Sequence, residues 1–221
     1  MLICQVPVCE LNCQDGIVNG KQAPLIKPSI AVPHSELITL AALRVQKAFI
    51  PPPKIRWVSW DPSENLTLNV DGSVDALGPS GEGIIREING RPKLLFMVRF
   101  DSGLSNTKAE FMAALRGLRG ASLAGLAISE VHTDSSVLAD AVNNSNSRSW
   151  DCYYLVRCIR KELRGAKLRH IYREANQVAY ALAKDAHTCG SLVSSSLSVF
   201  NSHIKALVAL DHKRTPSCRL G

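Results

Sequence analysis

Asn89-Gly90 sits between two runs of strand character, Gly83–Ile88 (GIIREI) and Lys93–Phe100 (KLLFMVRF). Both residues accept positive φ readily, and the tight turn they favour matches the right-handed twist of the strands it joins. The two runs are therefore expected as antiparallel neighbours. A third run, Leu66–Val70 (LTLNV), precedes them and leads into Asp71-Gly72-Ser73, so the first three strands read as a meander. The period then changes. Ser105-Asn106 offers a helix cap, and Ala109, Met112, Ala113, Leu115 and Leu118 follow at helical spacing. Leu126–His132 reads as a fourth strand ending in Thr133-Asp134-Ser135. Helical segments are expected at Ser136–Val142 and Tyr153–Leu163, separated by a polar loop. Lys167–Tyr172 reads as a fifth strand and Ala175–Ala186 as a last helix. A mixed sheet with helices on both faces satisfies this order.

The flanks are of another kind. Residues 1–54 are punctuated by Pro24, Pro28 and Pro33 and contain one short amphipathic stretch, Ser35–Phe49, closed by Pro51-Pro52-Pro53. They read as an irregular appendage with a stiff, proline-rich linker. Cys4, Cys9 and Cys13 are more widely spaced than zinc-ligand pairs and have no histidine nearby, so they read as reduced thiols. Residues 191–221 are Ser-rich, then weakly apolar, then basic, and are expected to be a flexible tail. That leaves a domain at 55–190. The seven cysteines are odd in number and scattered, which does not fit a secreted disulfide framework. No run approaches the ~18 apolar residues of a membrane span, and Met1–Cys13 lacks the basic and apolar regions of a signal peptide. The expectation is an intracellular chain, in nucleus or cytoplasm, without a membrane partner and monomeric by default.

The net charge of +7 points to a polyanionic partner. Within the domain the positive charge is concentrated in Arg157, Arg160, Lys161, Arg164, Lys167, Arg169 and Arg173, opposed only by Glu162. This stretch reads equally well as a phosphate-tracking surface and as a solvated helix face with a strand edge.

Three carboxylates carry the chemistry. Asp71 ends the first strand, Glu110 lies in the first turns of the long helix, and Asp134 ends the fourth strand. If the first and fourth strands are parallel neighbours, Asp71 and Asp134 leave the same sheet edge and Glu110 joins from the side. Such a cluster repels itself unless a cation neutralises it. Oxygen-only ligands select Mg²⁺ or Mn²⁺, and carboxylate-held ion pairs suit in-line displacement at phosphorus. Taken singly, Asp71 also reads as a turn residue and Asp134 as a helix cap.

The segment from Trp60 to Lys184 resembles the plant retroelement-derived, reverse transcriptase-associated branch of the ribonuclease H family. The resemblance rests on Trp60 and Pro62, LNVDGS (Leu68–Ser73), the stretch Gly83–Gly90, Ser105–Glu110, Thr133–Ser135 and His170–Lys184, in the family's order and spacing. It implies an α/β ribonuclease H-like fold with a five-stranded mixed sheet flanked by helices. It also implies hydrolysis of the RNA strand of RNA–DNA hybrids by two Mg²⁺ (or Mn²⁺) ions held by four carboxylates, leaving a 3′-hydroxyl and a 5′-phosphate. Asp71, Glu110 and Asp134 carry over as metal-binding, catalytic residues. The fourth carboxylate does not: the chain has REANQVAY, with Tyr180 at the aspartate position, and a phenol of ordinary pKa near ~10 is a poor Mg²⁺ ligand. Asp185 reads as a surface charge rather than a substitute.

His170 corresponds to a mobile histidine that moves protons or assists product release, though it also fits a strand residue packed beside the helix. Asn176 reads as a cap of the last helix or a phosphate contact. Gly72, Ser73 and Asn106 flank the carboxylates and are candidates for contacting RNA 2′-hydroxyls. Arg157, Arg160, Lys161, Arg164 and Arg173 are candidates for phosphate contacts on an RNA–DNA hybrid or other duplex. Two functions remain open: a ribonuclease impaired by Tyr180, with the second ion in doubt, and an inactive nucleic-acid-binding or protein-interaction module that keeps the fold.

Overall fold

The computed structural model describes residues 55–144 and 150–220. The expected appendage, with its helix at Ser35–Phe49 and its three cysteines, lies outside the described residues. The elements are β1 (Ile55–Val58), β2 (Leu66–Asp75), β3 (Gly78–Glu87), β4 (Pro92–Arg99), α1 (Asn106–Leu123), β5 (Glu130–Thr133), α2 (Ser136–Asn143), α3 (Tyr153–Leu163), β6 (Lys167–His170), α4 (Gln177–Cys189), β7 (Leu192–Ser194), α5 (Ser202–His212) and β8 (Ser217–Leu220). Single 3₁₀ turns precede α3, α4 and α5. Among the described residues no helix is long and apolar enough to cross a membrane.

The main sheet runs β6-β5-β2-β3-β4-β7. β2, β3 and β4 form the expected meander. At its second turn Gly90 takes φ +85°, and Asn89 Oδ1 accepts from Arg91 N at 2.9 Å. β5 and β6 are parallel to β2. One apolar cluster lies between the sheet and α1, α2 and α3, built from Leu68, Val70, Ile85, Phe111, Leu115, Leu138 and Ile159 among others. A second covers the opposite face, where Ile84, Leu95 and Met97 pack against α4 and α5.

The expected five-stranded sheet has six strands, and the expected flexible tail is folded. β7 pairs antiparallel with β4 over Leu95–Met97, covering an edge that would otherwise expose unpaired backbone groups. Phe200, Ile204 and Val208 then place α5 on the second cluster, and Asn201 caps that helix by accepting from Ile204 N at 2.9 Å. β8 forms a separate two-stranded ribbon with β1. The Ser-rich composition hid this segment because its apolar residues are sparse and have no surface of their own to complete. They complete one already begun by β3, β4 and α4.

The C-terminal segment is also tied in by charge. Arg86, on β3, is fully buried with its guanidinium 3.9 Å from the Trp60 ring centroid, and it pairs with Asp211 of α5 at 2.5 Å. Removing one partner of a buried pair leaves an uncompensated charge and costs about 3–5 kcal/mol. Asp211→Ala is expected to lower the free energy of urea unfolding by about that amount. A loss below about 1 kcal/mol would mean that Arg86 finds another partner.

Candidate metal centre

β2 outruns its parallel neighbour. Val70 pairs with Thr133 at the end of β5, so the sheet opens between Asp71 and Asp134, and this crevice forms at the carboxyl ends of parallel strands. α1 closes it from one side. Its first turn rests on Gly72, where a Cβ would stand 2.3 Å from Glu110 N and 2.4 Å from the Ala109 carbonyl carbon. Any side chain at position 72 would push the helix away and carry Glu110 with it. Ligand atoms of Asp71, Glu110 and Asp134 consequently lie within 4.8 Å of one another. The three carboxylates proposed from the sequence are brought together.

Their environment is anomalous for acids. Burial, then the nearby Asp134 charge, pushes Asp71 up to about 7, against the pull of Arg173 and the Gly72 N–H. Burial, then the charges of Asp71 and Asp134, pushes Glu110 up to about 9. Glu110 Oε2 is buried without a hydrogen-bond partner. A compact, all-oxygen donor set with an unsatisfied carboxylate oxygen fits a hard divalent cation such as Mg²⁺ or Mn²⁺.

Asp134 is fixed from two directions. Asn176 Nδ2 donates to Asp134 Oδ1 at 3.0 Å and to the Val70 carbonyl at 2.9 Å. Asn176 Oδ1 accepts from Asn69 Nδ2 at 3.0 Å, and Asn69 Oδ1 accepts from Trp60 Nε1 at 3.2 Å. Asn176 thus does not cap α4 with its side chain. It ends a buried relay that orients a carboxylate. On the other side Arg173 Nε lies 2.9 Å from Asp134 Oδ2. Nothing in the sequence marked the exposed Arg173 as a partner of Asp134, because a basic residue before a helix looks like any surface charge.

Several other expectations change. Gly72 is buried beneath α1 and its N–H donates to Asp71 Oδ1 at 3.0 Å, so its backbone is not open to a substrate. Ser73 is half-buried, with its hydroxyl 3.1 Å from that of Ser80. Asn106 is exposed at the start of α1. Arg160 is committed within the protein: its guanidinium donates to the carbonyls of Ala141, Val142 and Asn144, satisfying the C-terminal end of α2. Arg157, Lys161 and Arg164 remain exposed. The basic stretch is therefore split between structural and solvent-facing roles.

His170 closes β6 opposite Thr133, so it emerges at the same sheet end as Asp134. Its exposed ring packs edge-on against Tyr172 at 6.3 Å, beside a cavity of about 310 Å³. Tyr180 is half-buried on α4, with the Arg173 guanidinium 5.3 Å and the Lys184 ammonium 4.7 Å from its ring centroid. Arg173 thus touches both Asp134 and the phenol. Asp185 accepts a hydrogen bond from Asn201 at the start of α5 and is not among the three clustered acids. The sequence reading missed Glu82, a fully buried carboxylate on β3 opposite Asp71. Its signal was a charged residue at an inward position of a central strand.

A mixed sheet of this order, with helices on both faces and acids within β2 and just after β5, defines the ribonuclease H class of fold. RNase H1 from the halophilic archaeon Halobacterium salinarum superposes with a TM-score of 0.51 at 19% identity, covering 56% of this chain and 97% of that one. The N-terminal RNase H domain of a Mycobacterium tuberculosis protein gives 0.48 at 17% identity, covering 57% and 94%. LC11-RNase H1, solved in complex with an RNA/DNA hybrid, gives 0.46 at 17% identity, covering 55% and 95%. No curated protein sequence matches the chain. The model of the reverse transcriptase-like family matches residues 69–186, more than half of the chain, and the protein belongs to that family.

The raised acids give a pH dependence of known sign. Asp71 and Glu110 hold protons more tightly in the folded protein than in the unfolded chain, so their contribution to stability is full below ~4, the unfolded carboxylate range. It is lost as pH rises through about 7 and about 9. The melting temperature of the metal-free protein is expected to fall between pH 5 and pH 9. Asp71→Asn and Glu110→Gln should each flatten that fall, and a decline that neither variant changes would place its origin elsewhere.

Proposed function

We propose that residues 55–220 form a divalent-cation-dependent ribonuclease H-type hydrolase acting on the RNA strand of RNA–DNA hybrids. The observation that carries this reading is the buried meeting of Asp71, Glu110 and Asp134 from three separate elements. Family membership over residues 69–186 supports it. These three residues would hold Mg²⁺ or Mn²⁺, which lowers the pKa of an attacking water and stabilises charge on the leaving oxygen. The chain's own groups do the positioning. Asn176 and the Gly72 N–H hold Asp134 and Asp71 in fixed orientations, so little reorganisation is needed when charge develops.

Arg173 stands at the mouth of the crevice on Asp134. In this reading it exchanges that carboxylate for a substrate phosphate. His170, exposed at the same sheet end, passes protons between the site and solvent. Arg157, Lys161 and Arg164 give phosphate contacts that position a duplex without reading its sequence. Asn106 is placed to meet a 2′-hydroxyl.

A second reading has its own support. With Arg173 paired to Asp134 and lying against Tyr180, the crevice carries an internal cation, which suits a nucleic-acid-binding module without turnover. A labelled RNA–DNA hybrid separates the two. The hydrolase reading expects metal-dependent cleavage that Asp71→Asn abolishes while hybrid binding survives. Binding without cleavage in either Mg²⁺ or Mn²⁺ would transfer the assignment to the binding module. In both cases Arg157→Ala with Lys161→Ala should reduce the salt dependence of binding by about one unit per lost contact. An unchanged slope would remove α3 from the interface.

A further inference from the structure

We infer that Glu82 supplies the fourth carboxylate of the cation site, in the role that Tyr180 leaves without one. The inference rests on the cation reading of Asp71, Glu110 and Asp134. Glu82 lies in the middle of β3, is 0% exposed, and has no hydrogen-bond partner at either carboxylate oxygen. An inward position on a central strand is normally filled by an apolar side chain. Ile84, two residues on, and Met97, the register partner of Glu82 on β4, are both buried there. A carboxyl group in that place without a donor costs free energy that an apolar residue would not, and an unsatisfied buried group calls for a partner.

Register identifies the partner. Asp71 and Glu82 are directly opposed across β2 and β3. Their side chains leave the sheet on one face, with Cβ atoms about 4.5–5.5 Å apart. It is the face of α4, since Ile84 packs with Val178, Ala181 and Leu182. Two like charges directly opposed are destabilising on their own. Burial pushes Glu82 up to about 8 and the Asp71 charge adds to this, while the nearby Ser80 hydroxyl opposes it. The opposed pair is thus relieved either by protons or by a shared cation. Glu82 stands outside the group of three whose ligand atoms lie within 4.8 Å, so joining the cation requires its carboxylate to turn toward Asp71.

The loss at position 180 gives this placement its meaning. Tyr180 is held between Arg173, in the turn before α4, and Lys184, so cations rather than a carboxylate surround position 180. Glu82 restores the acid count from the strand beneath. It serves the Asp71 side of the site, and Asp134 keeps its fixed contact with Asn176.

Titration calorimetry of the full chain with Mn²⁺ alone tests this without any need for turnover. Glu82→Gln is expected to weaken Mn²⁺ binding at least tenfold, with an apo melting temperature equal to or above that of the natural protein. Tyr180→Asp should recover most of that loss in the Glu82→Gln background and change the natural protein's affinity less than threefold. Glu82→Met, matched in length and apolar, replaces the amide variant if that one fails to fold. Undiminished Mn²⁺ binding by the Glu82 variants would overturn the inference, and so would a tenfold gain from Tyr180→Asp alone, which would show the fourth position vacant. If Asp71→Asn abolishes binding while Glu82→Gln does not, only the role of Glu82 fails. If the natural protein itself binds no Mn²⁺, the cation reading of the cluster fails as well.

Discussion

The close approach of α1 to β2 at Gly72 is the contact on which the site depends. The missing Cβ lets the backbone of Ala109 and Glu110 come within 2.3–2.4 Å of where a side chain would begin. Glu110 reaches the crevice because the helix does. Asp71 precedes the glycine on an extended strand and so points to the opposite face. The end of β5 one strand over supplies Asp134. Three elements distant in sequence are locked around a single turn of helix, and the acids meet as a consequence of packing.

Charge then has to be balanced in a space that excludes water. The described residues do this in three ways. Asp134 is given Arg173 and Asn176. Asp71 is given the Gly72 N–H. Glu110 and Glu82 retain buried, unpartnered oxygens and have the most strongly raised proton affinities of the group. Protonation and cation binding are alternative answers to the same desolvation penalty. The relay from Trp60 through Asn69 and Asn176 adds direction, because each amide has its donor and acceptor assigned by a neighbour.

The segment beyond residue 190 is part of this economy. α5 covers the face of the sheet on which α4 lies, and Asp211 neutralises Arg86, which in turn stacks on Trp60. Trp60 begins the relay that ends at Asp134. The family match stops at residue 186, yet the chain after it contributes two strands, a helix and the counter-ion of the buried Arg86.

Much of this was legible in the sequence because it is local. Asn89-Gly90 set the hairpin through turn chemistry, the 3.6-residue period marked α1, and Asp134 followed from where β5 stops, whereas β2 runs on past the expected end at Asp71 to Asp75. What the sequence could not decide involves partners chosen in three dimensions. Whether Arg160 and Arg173 face phosphate or protein depends on which carbonyls and carboxylates lie opposite, and Asn176 is a helix cap or an orienting amide according to what surrounds it. The weakly apolar tail folds because β4 and α4 leave an apolar surface to be covered. Glu82 stands against Asp71 because antiparallel register, set over ten paired residues, aligned them. Turn and period are encoded within a few residues, whereas pairing, burial and charge compensation exist only once distant segments are brought together.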